Sequence, residues 1–179
     1  HMRRARSLGA RAMLLFTVLP LMACSPQVAV PPTPMPPPGA HLVSGACGHT
    51  PAYQGTIPGW LVDATGHNAP GGLAYALANP PDAAAFLFAN PLRAGHPDNP
   101  SNKILWVVRG DRQGRPLVID GHPLGESSPM VHVSQPANSG PGNIYPSIVD
   151  VPRAGCWRFA LRWATGSAEI DLAYAVVSG

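Results

Sequence analysis

Apolar and polar residues alternate strictly from Trp157 to Trp163. Trp157, Phe159, Leu161 and Trp163 lie on one side, and Arg158, Ala160 and Arg162 on the other. The alternation returns after a short gap, with Ile170, Leu172, Tyr174 and Val176 sharing a face. A period of two residues is that of a half-buried β-strand. Gly166-Ser167 between the runs suits the centre of a type II′ turn. A hairpin closed there pairs Trp163 with Ile170, Leu161 with Leu172, Phe159 with Tyr174 and Trp157 with Val176. On its polar face the same register sets Arg162 against Asp171.

Further strands are expected over Lys103–Arg109 and Pro116–Asp120, joined by Asp111-Arg112-Gln113-Gly114-Arg115 as a second hairpin. Shorter runs at Met130–Ser134, Ser147–Val151, Trp60–Val62 and Gly72–Leu77 read the same way, each bounded by turn residues. Ala84–Phe88 is ambiguous: a strand by its surroundings, a short helix by its alanines, with Asp82 as a cap. Short strands at this spacing, with no repeat and no long helical period, predict an all-β, antiparallel, immunoglobulin-like sandwich.

The amino-terminal pattern is different. Arg3-Arg4-Ala5-Arg6 precedes an apolar run over Ala12–Leu19 and then Leu21-Met22-Ala23-Cys24. A basic region, a short apolar run and small residues before a cleavage point form a secretory signal. A cysteine at that point resembles the lipobox of bacterial lipoproteins, which implies that Cys24 is acylated and anchors the chain in a membrane. Ser25 is not the Asp that retains such proteins at the inner membrane of Gram-negative cells. Ser25–Gly39 holds seven prolines and reads as an extended, semi-rigid linker. The expected organisation is a signal peptide over 1–23, an anchored linker over 24–40 and one domain over 41–179.

Charge follows from this division. The whole chain carries +3, but Arg3, Arg4, Arg6 and Arg11 lie in the signal. Their removal leaves eight basic and nine acidic residues, a net charge of −1. Nucleic-acid binding needs a clustered basic face, and none remains. The other cysteines, Cys47 and Cys156, are expected to pair in an oxidising envelope. A free buried pair is the alternative; a metal site lacks nearby ligand spacing.

The strings Asn102–Arg109, Gly114-Arg115-Pro116-Leu117, Tyr145-Pro146-Ser147 and Val151-Pro152-Arg153-Ala154-Gly155-Cys156-Trp157-Arg158-Phe159 together resemble a group of uncharacterised bacterial envelope lipoproteins. That group ends in a Gly-Cys-Trp strand of an immunoglobulin-like domain, and the likeness spans roughly Trp60 to Val177. It implies fold and location and carries no chemistry.

Candidate chemistry is sparse. There is no Gly-x-Ser-x-Gly elbow, phosphate-cradling glycine loop or dinucleotide fingerprint. Asp120 beside His122 is an acid–base pair by proximity alone. Met130-x-His132, with His122 close in sequence, is a set of soft and imidazole ligands of the kind that holds copper or zinc. Tyr53 and Trp60 in Gly/Pro-rich sequence, and Arg93, His96 and Asp98 in the long Pro91–Asn102 loop, form a candidate binding surface. The reading is a noncatalytic, lipid-anchored binding or scaffolding module for envelope proteins or glycans, without a cofactor. A copper- or zinc-binding lipoprotein is the first alternative and an envelope hydrolase the second.

Overall fold

The computed structural model describes residues 35–95 and 101–176. They form eleven strands in two packed sheets with one short α-helix, the all-β sandwich expected. The strands are β1 (Ala40–Leu42), β2 (Ala52–Gly55), β3 (Ala74–Leu77), β4 (Ala83–Leu87), β5 (Leu92–Arg93) and β6 (Lys103–Val108). They continue as β7 (Leu117–Pro123), β8 (Val131–Gln135), β9 (Ile144–Ile148), β10 (Gly155–Trp163) and β11 (Gly166–Ala175). One sheet has the order β1-β2-β3-β4-β6-β9 and the other β5-β11-β10-β7-β8. All pairings are antiparallel except the short parallel one of β5 with β11.

Trp106, Phe159, Trp157, Ile170 and Leu172 fill the main core between the sheets. The outer face of the β4–β6 sheet is buried as well. Tyr53, Tyr75, Ala84, Phe86, Leu105 and Val107 pack there under Leu61 of α1 (Gly59–Ala64) and the neighbouring Trp60, Ile57 and Leu73. Burial on both faces explains why β4 and β6 read as continuous apolar runs rather than alternating ones. It also settles β4. The alanines favour helix in isolation, but small side chains packed between two layers are held in the ladder with β3 and β6. Asp82 caps no helix; its Oδ1 lies 3.2 Å from Arg109 Nε.

Three expectations are corrected. The terminal hairpin forms, but Trp163 faces Gly166 and Phe159 faces Ile170. Its turn is therefore Ala164-Thr165, and Gly166 does not take a positive φ, which excludes a type II′ turn on Gly166-Ser167. Against the expected pairing of Trp163 with Ile170 the register moves by four residues. An even shift leaves every side chain on its predicted face, so the aromatic stripe still points inward. Arg162 does not meet Asp171; Arg158 does. Second, β6 and β7 are not a hairpin: β6 pairs with β4 and β9, and β7 with β10 and β8. The segment between them passes from one sheet to the other. Third, Trp60–Val62 is helical, because Leu61 and Trp60 cover the outer apolar face of a sheet instead of extending one.

The disulfide joins Cys47 and Cys156, 109 residues apart. Cys156 alternates with the inward Trp157, so it lies on the outer side of β10. The bond ties the segment after β1 to that side, where Ala46 bridges Leu172 and the Cys47 amide donates to the Asp171 carbonyl at 3.1 Å. In antibody domains the bond lies between the sheets; here it is a clip on the flank of one.

Candidate functional site

The β4–β6 sheet is roofed by α1, whereas the outer face of β8-β7-β10-β11 is lined by polar side chains. Alternation sends Trp157, Phe159 and Leu161 of β10 into the core, leaving Arg158, Ala160 and Arg162 on the outer face. Adjacent strands add Asp120 and His122 from β7, His132 and Ser134 from β8, and Glu169 and Asp171 from β11.

Two carboxylates organise this face. Asp120 Oδ1 lies 2.6 Å from His132 Nδ1, and its Oδ2 accepts from Arg162 at 2.5 Å. The His132 hydrogen bond foremost, with Arg162 adding to it, holds the Asp120 carboxyl below the usual range against partial burial. Asp171 is 2 % exposed. It takes a bidentate pair from Arg158, at 2.8 Å from Nε and 3.0 Å from Nη2. The hydrogen bond to Asp171 is the main reason the Arg158 guanidinium is raised further above its ordinary value. Arg158 Nη1 also lies 3.4 Å from Glu169. A carboxylate whose two oxygens are both occupied by cationic or imidazole donors is a poor general base. Both clusters pin strands together.

The predicted ligand set divides. His132 is tied to Asp120, not His122; the ring of His122 lies 3.0 Å from its neighbour's carbonyl, with Nδ1 against Pro123. Met130 falls just outside β8 and is 63 % exposed. Among the described residues no group of three or more His, Cys, Asp or Glu side chains is placed to hold a metal ion.

The predicted binding surface is corrected at its aromatic end. Tyr53 is wholly buried, with its ring 5.8 Å from that of Tyr75. Trp60 is half-buried in the same layer, and Arg109 covers its ring at 4.5 Å. The two therefore build a core instead of a stacking platform. Arg93 lies in β5, where Asn102 ties down the base of the long loop. Asn102 Oδ1 accepts from the Arg93 amide at 2.9 Å, and its Nδ2 donates to the Arg93 carbonyl and to Asp150, each at 2.7 Å. His96 and Asp98 lie outside the described residues, as does Cys24.

A groove of about 770 Å³ runs between Asp111–Pro116 and Ser134–Asn138. Its guanidinium, that of Arg112, is already spent on the carbonyls of Ala137 and Gly140 and stacks on Tyr145. It braces the crossing from β8 to β9, and the groove is an open furrow. None of the described helices is long and apolar enough to cross a membrane. The cross-strand clusters were not visible in the sequence. Alternation gives the face of each charged residue but not its neighbour on a strand distant along the chain.

No family model, no curated protein and no solved structure matches this chain.

Proposed function

We propose that this is a lipid-anchored protein of the bacterial envelope whose β-sandwich is a noncatalytic binding or scaffolding module. The observation that carries the reading is the unequal treatment of the two sheets. One has its outer face covered by α1 and its apolar neighbours, while the other presents a charged face on which Asp120 and Asp171 hold strands together. A charged surface whose two carboxylates are engaged by Arg158, His132 and Arg162 suits recognition of a partner. The lipobox and the proline linker support a location on a membrane surface, where more than one acyl chain makes attachment stable.

Two measurements test this. Replacing Cys24 with Ala should abolish incorporation of labelled palmitate and release the protein from the membrane fraction; unchanged partitioning would refute the anchor. Photo-crosslinking groups at Ala160 and Ser167, on the charged face, should capture a discrete envelope protein or glycan in cells. The same group at Asp63 on α1 should not. Equal capture from both, or none from either, would refute a binding role for the charged face.

A further inference from the structure

The four sheet edges are not equally protected. β1 ends one sheet with only three residues, and β9 ends its other side with Pro146 at the centre of the strand. In the second sheet β5 has two residues. Short strands and prolines are the devices that stop an edge from recruiting another chain. The remaining edge, β8, has neither. It runs five residues, Val131-His132-Val133-Ser134-Gln135, without proline, Lys, Arg, Asp or Glu. Among the described residues its backbone makes no hydrogen bond outside the ladder with β7.

We propose that β8 pairs antiparallel with β8 of a second copy, joining the two five-stranded sheets into one of ten strands. A two-fold axis at Val133 matches all five residues of each strand. Val133 then meets Val133 of the second copy, His132 meets its Ser134, and Val131 meets its Gln135. No like charges are opposed. Carried one residue further, the register sets Met130 against Pro136 of the second copy. Met130 is 63 % exposed and Pro136 is also exposed, and both fall on the outer face by alternation with His132 and Ser134. The contact would cover an apolar residue at each end of the pair. A self-complementary patch related by a two-fold axis is the commonest way a chain closes an assembly. This self-complementarity favours a second copy over an unrelated strand.

Sedimentation velocity of the full chain in mild detergent should show a concentration-dependent monomer–dimer equilibrium. Ser134→Lys, an exposed change that places a charge opposite His132 of the second copy, should weaken association at least tenfold with an unchanged melting temperature. Hydrogen exchange on the unmodified chain gives a reading independent of any variant. The outward amides of β8 should slow about tenfold between dilute and concentrated samples, while those of β9 do not. A monomer at several hundred micromolar, a dimer indifferent to Ser134→Lys, or protection confined to another edge would each overturn the proposal. So would a monomer whose β8 is protected only by a different envelope protein.

Discussion

At the residue scale, Asp171 has the least tolerant environment on the charged face. Its carboxylate is almost fully buried, holds Arg158 through two bonds, and has its own amide bonded to Thr50 Oγ1 at 2.8 Å. Asp171→Ala leaves a partly buried guanidinium without its main partner. A loss of about 2 kcal/mol is expected, below the range for fully buried pairs because Arg158 retains some solvent. Urea unfolding measures it. Asp120 makes a different prediction. Its carboxyl is held below the unfolded value, so its contribution is complete above the unfolded pKa of about 3.9 and lost as pH falls through the lower folded value. Asp120→Asn should cost less than about 1 kcal/mol at neutral pH, since both partners are more than half exposed. It should also shrink the difference in stability between pH 6 and pH 2, as acid titration followed by circular dichroism would show. Gly166 is required by closeness: a Cβ there would meet the Trp163 indole at 2.7 Å. Gly166→Ala should destabilise the native chain but much less a Trp163→Ala background. The coupling should be about 1 kcal/mol in a double-mutant cycle, and strictly additive effects would refute the steric account.

At the scale of elements, α1 and the disulfide each secure something the strands alone do not. The helix has six residues, too few to be stable in isolation. Its reason to form is Leu61, fully buried against Tyr53, Tyr75 and Phe86. Leu61→Ala should cost about 2–5 kcal/mol and expose the second core to a hydrophobic dye below the global transition. The Cys47–Cys156 bond closes a loop of 109 residues, for which chain entropy gives up to about 4–5 kcal/mol. Reduction should therefore lower the melting temperature by about 10 °C or more. An unchanged transition would mean that contacts around Ala46 and Asp171 suffice without it. The terminal hairpin shows the limit of local cues. A glycine at a plausible turn and an Arg–Asp pair of plausible spacing agreed on one register. The long-range partners chose another, because Arg162 reaches Asp120 on β7 and frees Asp171 for Arg158.

For the whole molecule, one sheet is roofed by an apolar layer, while the other keeps a polar outer face covered at Asp171 by the Cys47–Thr50 segment. Period-two alternation on β10 and β11 was legible in the sequence, because each strand turns one face to the core, and burial of that face is the main driving force for folding. So were the class of fold, the pairing expected of two cysteines, and the separation of a basic, apolar start from an almost neutral domain. What only the tertiary structure decided is which strand neighbours which. The split of β6 and β7 between sheets, the helical Trp60 segment under Arg109 and the burial of Tyr53 all depend on groups far apart in the chain. Periodicity reports which side of a strand avoids water, a property of neighbouring residues. The partner that provides the dry surface is selected by packing of the whole molecule, and no local pattern encodes it.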